Sequence, residues 1–158
     1  MGTWTKEELE REFVRDQERS QRAADTHDWS TWAKEQFVED AVYIEHHYGR
    51  FEGRQAIEDW IVSCMGEFPG SAMPGFPVDW HTVDEDKGWI ICQIENLMPD
   101  PGDGSEHKAA NLTILHYAGD GKWSYEEDVY NPAHFGTMVE GWMAARRAAK
   151  KAALEAGS

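Results

Sequence analysis

Tyr43 and Glu45 stand two apart in "AVYIEHHYG" (41–49), and Glu126 and Asp128 stand two apart in "SYEEDVY" (124–130). Residues two apart in a β-strand point to the same face. Two strands of this kind could aim acids and a phenol from different walls into a common cavity. Burial raises a carboxyl pKa and a hydrogen-bond donor lowers it. Two acids in unequal surroundings therefore divide into a base and an acid. His116, in "LTILHY", adds a group that titrates near neutrality. Tyr43 and Asn96 add neutral groups able to orient water or a substrate oxygen. Such a set suits proton abstraction, or the addition or elimination of water, with Asp128 or Glu45 as base.

Other chemistries find no support. His46 and His47 look like a metal pair, but neighbours on a strand point to opposite faces. No metal or cofactor is expected. A nucleophile elbow, a phosphate loop and a dinucleotide glycine pattern are all missing from the sequence. The 158 residues carry a net charge of −15. From Glu140 onward four basic residues face two acidic ones, a surplus of +2 that leaves −17 on the rest. Such a body repels nucleic acid and anionic membrane, so neither is an expected partner. The two cysteines, Cys64 and Cys92, sit in apolar runs and read as reduced core residues. The charged, helix-forming start is unlike a signal peptide, and no apolar run has membrane-spanning length. The expected compartment is cytoplasmic.

The chain length fits one domain, expected over residues 1–145, with a charged tail over 146–158 that frays beyond Ala144. Thr5 with Glu8 opens a first helix to about Asp25, with Leu9, Phe13, Gln17, Ser20 and Ala24 at helical spacing. Asp28 caps a second helix that buries Trp29, Trp32, Ala33 and Phe37. A strand over 41–48 and a "GRFEG" turn follow, then a helix from Arg54 whose stripe includes Trp60. "GEFPGSAMPGFP" is a loop. Four strands over 78–83, 89–97, 108–117 and 122–130 lead to a last helix, begun by Asn131-Pro132. Helices first and strands later give an α+β fold. A curved antiparallel or mixed sheet wraps over three N-terminal helices in a cone, and a C-terminal helix closes the chain. A tight turn at "AGDGK" sets His116 opposite Ser124, Ile114 opposite Glu126 and Leu112 opposite Asp128, all on one face.

"HDWSTWAKEQFVEDAVYIEHHYGRFEGRQAIEDWI" resembles the opening of the SnoaL-like branch of the nuclear-transport-factor-two-like superfamily. "ANLTILHYAGDGKWSYEEDVYNPAHF" resembles that group's closing hairpin and last helix. The resemblance implies a cystatin-like α+β roll. Phe37 to His47 and Asn111 to Phe135 are similar to the limonene epoxide hydrolases. Tyr43 falls there on a water-positioning tyrosine, Glu45 on an asparagine that helps hold the water, and Asp128 on the aspartate that activates it. Against the ketosteroid isomerases, Glu45 falls on the general-base aspartate. The hydrolases' arginine and second aspartate fall near Ile94 and Asn96, so an arginine orienting two carboxylates is absent. Against the scytalone dehydratases, Asp25 falls on a pocket aspartate and His81 on a catalytic histidine. The same comparison puts Asn111 in the pocket, against the hairpin alternation unless a strand is bulged. The Asp128 match selects the face of His116, Ile114 and Leu112 as concave.

The implied function is a cofactor-independent isomerase, hydratase, dehydratase, cyclase or hydrolase. Its substrate would be a small, largely apolar terpenoid, steroid or polyketide-like molecule. Asp128, Glu45, Tyr43 and His116 form the expected catalytic group. Asn96, Ile94, Leu112, Ile114, Glu126, His81, Asp25 and Trp60 are the expected substrate contacts. The alternative is a ligand-binding or partner-scaffolding protein of the same fold without chemistry. The resemblance also implies a homodimer through the sheet's outer face, with Tyr117, Trp123 and Tyr125 as its patch.

Overall fold

The computed structural model describes residues 3–157. Helix α1 (Lys6–Thr26) starts where the Thr5 hydroxyl accepts the Glu8 amide at 3.2 Å, and ends at His27 in the left-handed conformation. Helix α2 (Trp29–Gln36) is capped by Asp28. Strand β1 (Phe37–Glu45) follows at once, begins four residues earlier than the spacing predicts, and makes a hairpin with β2 (Gly49–Glu52). "GRFEG" is thus mostly strand. Helix α3 (Arg54–Gly66) and the loop to Pro77 lead to β3 (Val78–Asp84), β4 (Trp89–Leu97), β5 (Lys108–Gly119) and β6 (Lys122–Val129). Helix α4 (Pro132–Ala156) ends the chain.

Among the described residues six strands form one mixed sheet in the order β2-β1-β6-β5-β4-β3, in which β1 and β6 are parallel and the other neighbours antiparallel. Three helices precede most of the sheet and pack on its concave face, as expected for the α+β cone. Its core holds Leu9, Phe13, Trp32, Phe37, Ile57, Ile90, Cys92, Leu115 and Trp123, all 5% exposed or less. Each such side chain contributes about 1.5–3 kcal/mol of burial. A chain of aromatic contacts crosses this core from Trp29 through Trp32, Phe37 and Tyr43 to Trp60 and Phe51. A second core of Met73, Met98, Ala109, Met138 and Trp142 lies under α4, and Phe76 touches both.

Two expectations about the last third need correction. Helix α4 does not fray at Ala144 but continues to Ala156, because Ala, Lys and Arg are strong helix formers. Tyr117 and Trp123 do not face outward. Both are buried, at 4% and 0% exposure, leaving only Tyr125 of that trio on the outer face. No helix among the described residues is long and apolar enough to cross a membrane.

Candidate active site: a carboxyl cluster on the concave wall

One residue decides the geometry of the wall. Tyr117 pairs with Trp123, but His116 pairs with Tyr125, so Ser124 is an extra residue in β6. This is a β-bulge, and beyond it every side chain changes face. Glu126 now lies opposite Leu115 and Asp128 opposite Thr113. The concave face therefore carries Asn111, Thr113, Leu115, Glu126 and Asp128. The bulge also removes the conflict over Asn111, which is 7% exposed and belongs to the wall.

Asp128 is the centre of a polar network. Its Oδ1 accepts the Thr113 hydroxyl and the Asn111 amide, the latter at 3.0 Å, and its Oδ2 accepts the Tyr43 hydroxyl. Asn96 donates to Asn111 Oδ1 at 2.7 Å, which turns the Asn111 amide nitrogen towards Asp128. Burial raises the Asp128 pKa, the Thr113 and Tyr43 donors lower it, and the balance lies at about 6. Asp128 still keeps a partly exposed surface. Glu45 lies directly beside it in the β1–β6 ladder and is 4% exposed. Its Oε2 accepts the backbone amides of His47, at 2.8 Å, and Tyr48. The Tyr130 hydroxyl faces the same carboxylate. Glu45 thus serves first to close the turn after β1.

Two further acids face this group. Glu126 is 7% exposed, and burial, then the charges of Asp128 and Asp16, push its pKa well up. Asp16 reaches in from α1 and is pushed up to about 7 by burial, with Arg19 opposing. The Trp123 indole N–H faces Asp16 without forming a regular hydrogen bond. The helical stripe read through Gln17 passes one residue from Asp16, and a carboxyl on that apolar stripe is the signal that could have found it.

The remaining candidates are spread out. Ile94 lies on the concave face, opposite Asn111 and against the main core. Trp60 packs its ring 4.8 Å from that of Tyr43 and stacks on Phe51 at 4.7 Å, with its buried N–H unpaired. His116, Ile114 and Leu112 are on the outer face, contrary to the alternation drawn without the bulge. His116 is stacked between Trp89 and Tyr125, at 4.1 and 4.3 Å. Burial lowers its pKa against the pull of Glu127. Leu112 is 39% exposed. His81 and Asp25 do not form a dyad. His81 bonds Glu10 at 2.7 Å, and Asp25 accepts Gln21 near the other end of α1. Glu10 and Asp25 are separated by roughly 22 Å of helix. His46 pairs with Glu127 at 2.8 Å. Among the described residues no group of three His, Cys, Asp or Glu is arranged to hold a metal. A shallow groove of about 340 Å³ between α1 and Phe76-Pro77 touches none of the wall carboxyls.

The Asp16 environment makes a stability prediction. Below the unfolded pKa of about 4 both states are protonated, and above about 7 both are ionised. Between these values the folded state binds more protons than the unfolded one, so this group's contribution falls as pH rises, by at most about 1.4 kcal/mol per pH unit. Asp16→Asn is therefore expected to raise the denaturant midpoint relative to wild type at pH 8, with a smaller gain at pH 5. An equal difference at both pH values would contradict the burial account.

No family model matches the chain, and no curated protein matches it by sequence. Solved structures do match it by fold. A candidate isomerase from Bacillus subtilis superposes with a TM-score of 0.65 at 16% identity, covering 84% of this chain and 96% of that one. An LEH-like epoxide hydrolase from M. tuberculosis gives 0.63 at 14% identity, covering 87% and 91%. An NTF2-like protein from Anabaena variabilis gives 0.61 at 14% identity, covering 83% and 95%. The chain therefore has the fold of NTF2-like proteins, the architecture that the two resembling stretches of sequence imply.

Proposed function

We propose that the protein is a cofactor-independent acid/base enzyme acting on a small, largely apolar molecule that carries an oxygen function. The single observation behind this reading is Asp128, a part-exposed residue whose carboxylate is enclosed by three donors. A base works best when its pKa is close to the working pH, and a value of about 6 meets that condition. An ionised carboxylate accepts at roughly four positions, of which Tyr43, Thr113 and Asn111 use three. The position left on Oδ2 takes the proton of a water or of a carbon acid. The Trp60 N–H, buried and unpaired beside Tyr43, is a donor for the substrate oxygen. Ile94 and the Trp60 indole of α3 supply apolar contact. Isomerisation, hydration or dehydration, cyclisation and hydrolysis all begin with this proton transfer. Terpenoid, steroid or polyketide-like ketones and epoxides fit the greasy surroundings.

A second reading, ligand binding without turnover, draws on one observation. Glu45, Glu126 and Asn111 are each at most 7% exposed, so the wall is packed over rather than open. Assaying wild-type protein and Asp128→Asn against such ketones and epoxides separates the two. Turnover that disappears in the variant supports the enzyme, and tight binding without turnover in either supports the second reading. A dimer through the outer face, where Trp80, Leu112 and Val129 are exposed, belongs to the same proposal. Sedimentation of the intact protein as a monomer at high concentration would contradict it.

A further inference from the structure

The Tyr43 hydroxyl sits between two carboxyl groups and has one proton to give. That proton is committed to Asp128 Oδ2. Glu126 stands directly opposite Tyr43 in the β1–β6 ladder, and its carboxyl faces the same hydroxyl without forming a regular hydrogen bond. It also shares its face with Asp128, two residues away. With the phenolic hydrogen pointing at Asp128, Glu126 meets the oxygen's lone pairs. A carboxylate in that place would face lone pairs on one side and two more acids on the others. Glu126 Oε2 is buried with no partner, which an ionised group tolerates badly. Only a carboxylic acid makes an attractive contact there, by donating.

We infer that Glu126 is held as a neutral acid that donates its proton to the Tyr43 hydroxyl oxygen, and thereby fixes the Tyr43 O–H on Asp128. Glu126 is then a positioning residue for the base, and this role rests on reading Asp128 as that base. The charged and titratable surroundings agree. Asp16 faces it from α1, Tyr43 from β1 and Asp128 from β6, with Cys92 on β4 near the same acids. Arg19 from α1 acts on Asp16, and Glu45 from β1 acts on Asp128. No cation is among the groups acting on Glu126. The arrangement also keeps Tyr43 from turning its hydrogen away when Asp128 binds water.

Infrared spectroscopy tests the inference without a substrate. At about pH 8.5, above the range where Asp16 titrates, the wild-type protein is expected to show one carbonyl band of a protonated carboxyl group. Labelling glutamate side chains with ¹³C at the carboxyl carbon should shift that band, with no substitution needed. Glu126→Gln should abolish it and Asp16→Asn should retain it. An amide also donates, so Glu126→Gln should leave the Asp128 titration midpoint within a few tenths of a pH unit. A missing band, a band unmoved by glutamate labelling, or an Asp128 midpoint lowered by about a unit or more in Glu126→Gln would overturn the inference, the last because it reveals a lost negative charge. These readouts hold whether or not Asp128 turns any substrate over, so failure here is distinct from failure of the enzymatic reading.

Discussion

Asp128→Asn is expected to lower kcat/KM by about 10²–10⁴-fold, the range for loss of a general base, with little change in fold. The asparagine keeps the shape, and its one carbonyl oxygen can stand in either for Oδ1, accepting from Thr113, or for Oδ2, accepting from Tyr43. It cannot take a proton. The Asn111 amide would then face either that oxygen or a competing NH₂ group, so a modest stability loss of about 1 kcal/mol is consistent with the account. Steady-state assays on any turned-over ketone or epoxide, paired with a thermal melt, separate the two effects. A variant that keeps wild-type turnover would remove Asp128 from the chemistry. The contrast with His116 is informative. Sequence alternation puts both on one face, but His116 is clamped between Trp89 and Tyr125 on the outer surface. His116→Ala should therefore leave turnover nearly intact.

Trp123→Ala is expected to be the most damaging core truncation, at about 3–5 kcal/mol. Trp123 is fully enclosed, its ring is 5.3 Å from that of Tyr117, and it borders the Asp16 carboxyl. Domains of this size are stable by only about 5–15 kcal/mol, so about a fifth or more of the margin would be lost. Tyr125→Ala, two residues on but past the bulge, faces outward and should cost far less. Denaturant unfolding of the pair checks the register itself. In an unbulged strand the two residues share a face and should behave alike. Equal losses would mean that Ser124 is not the extra residue and that the wall is drawn wrongly.

The elements with strong periodicity were legible. Capping by Thr5 and Asp28, the stripes of α1 and α3, the four late strands and the proline start of α4 all follow from residue type and spacing. Tyr43 and Glu45 share a face as their spacing suggests, whereas Asp128 stands beside Glu45 on the same wall rather than on a different one. What failed was parity. A bulge adds one residue with no compositional mark of its own, and Ser124 is neither glycine nor proline. Because strand side chains alternate with period two, that single insertion reverses the assignment of His116, Ile114 and Leu112 and brings in Thr113 and Asn111. The β1–β2 hairpin was hidden for another reason. Its turn lies at His46–Tyr48, and the glycine of "GRFEG" opens a short strand rather than a turn. Asp16 was passed over because helical periodicity is loose by one residue, and Gln17 fits an apolar stripe about as well.

The central claim is that Asp128 is a base tuned towards neutrality by opposing effects of burial and donated hydrogen bonds. Site-resolved ¹³C NMR titration of the aspartate carboxyl carbons measures this directly, with Asp128→Asn supplying the assignment. The Asp128 signal should titrate with a midpoint of about 6, and Thr113→Val, which removes a donor to the charged form, should move that midpoint upward. A midpoint near the ordinary aspartate value of about 4, unmoved by Thr113→Val, would contradict it.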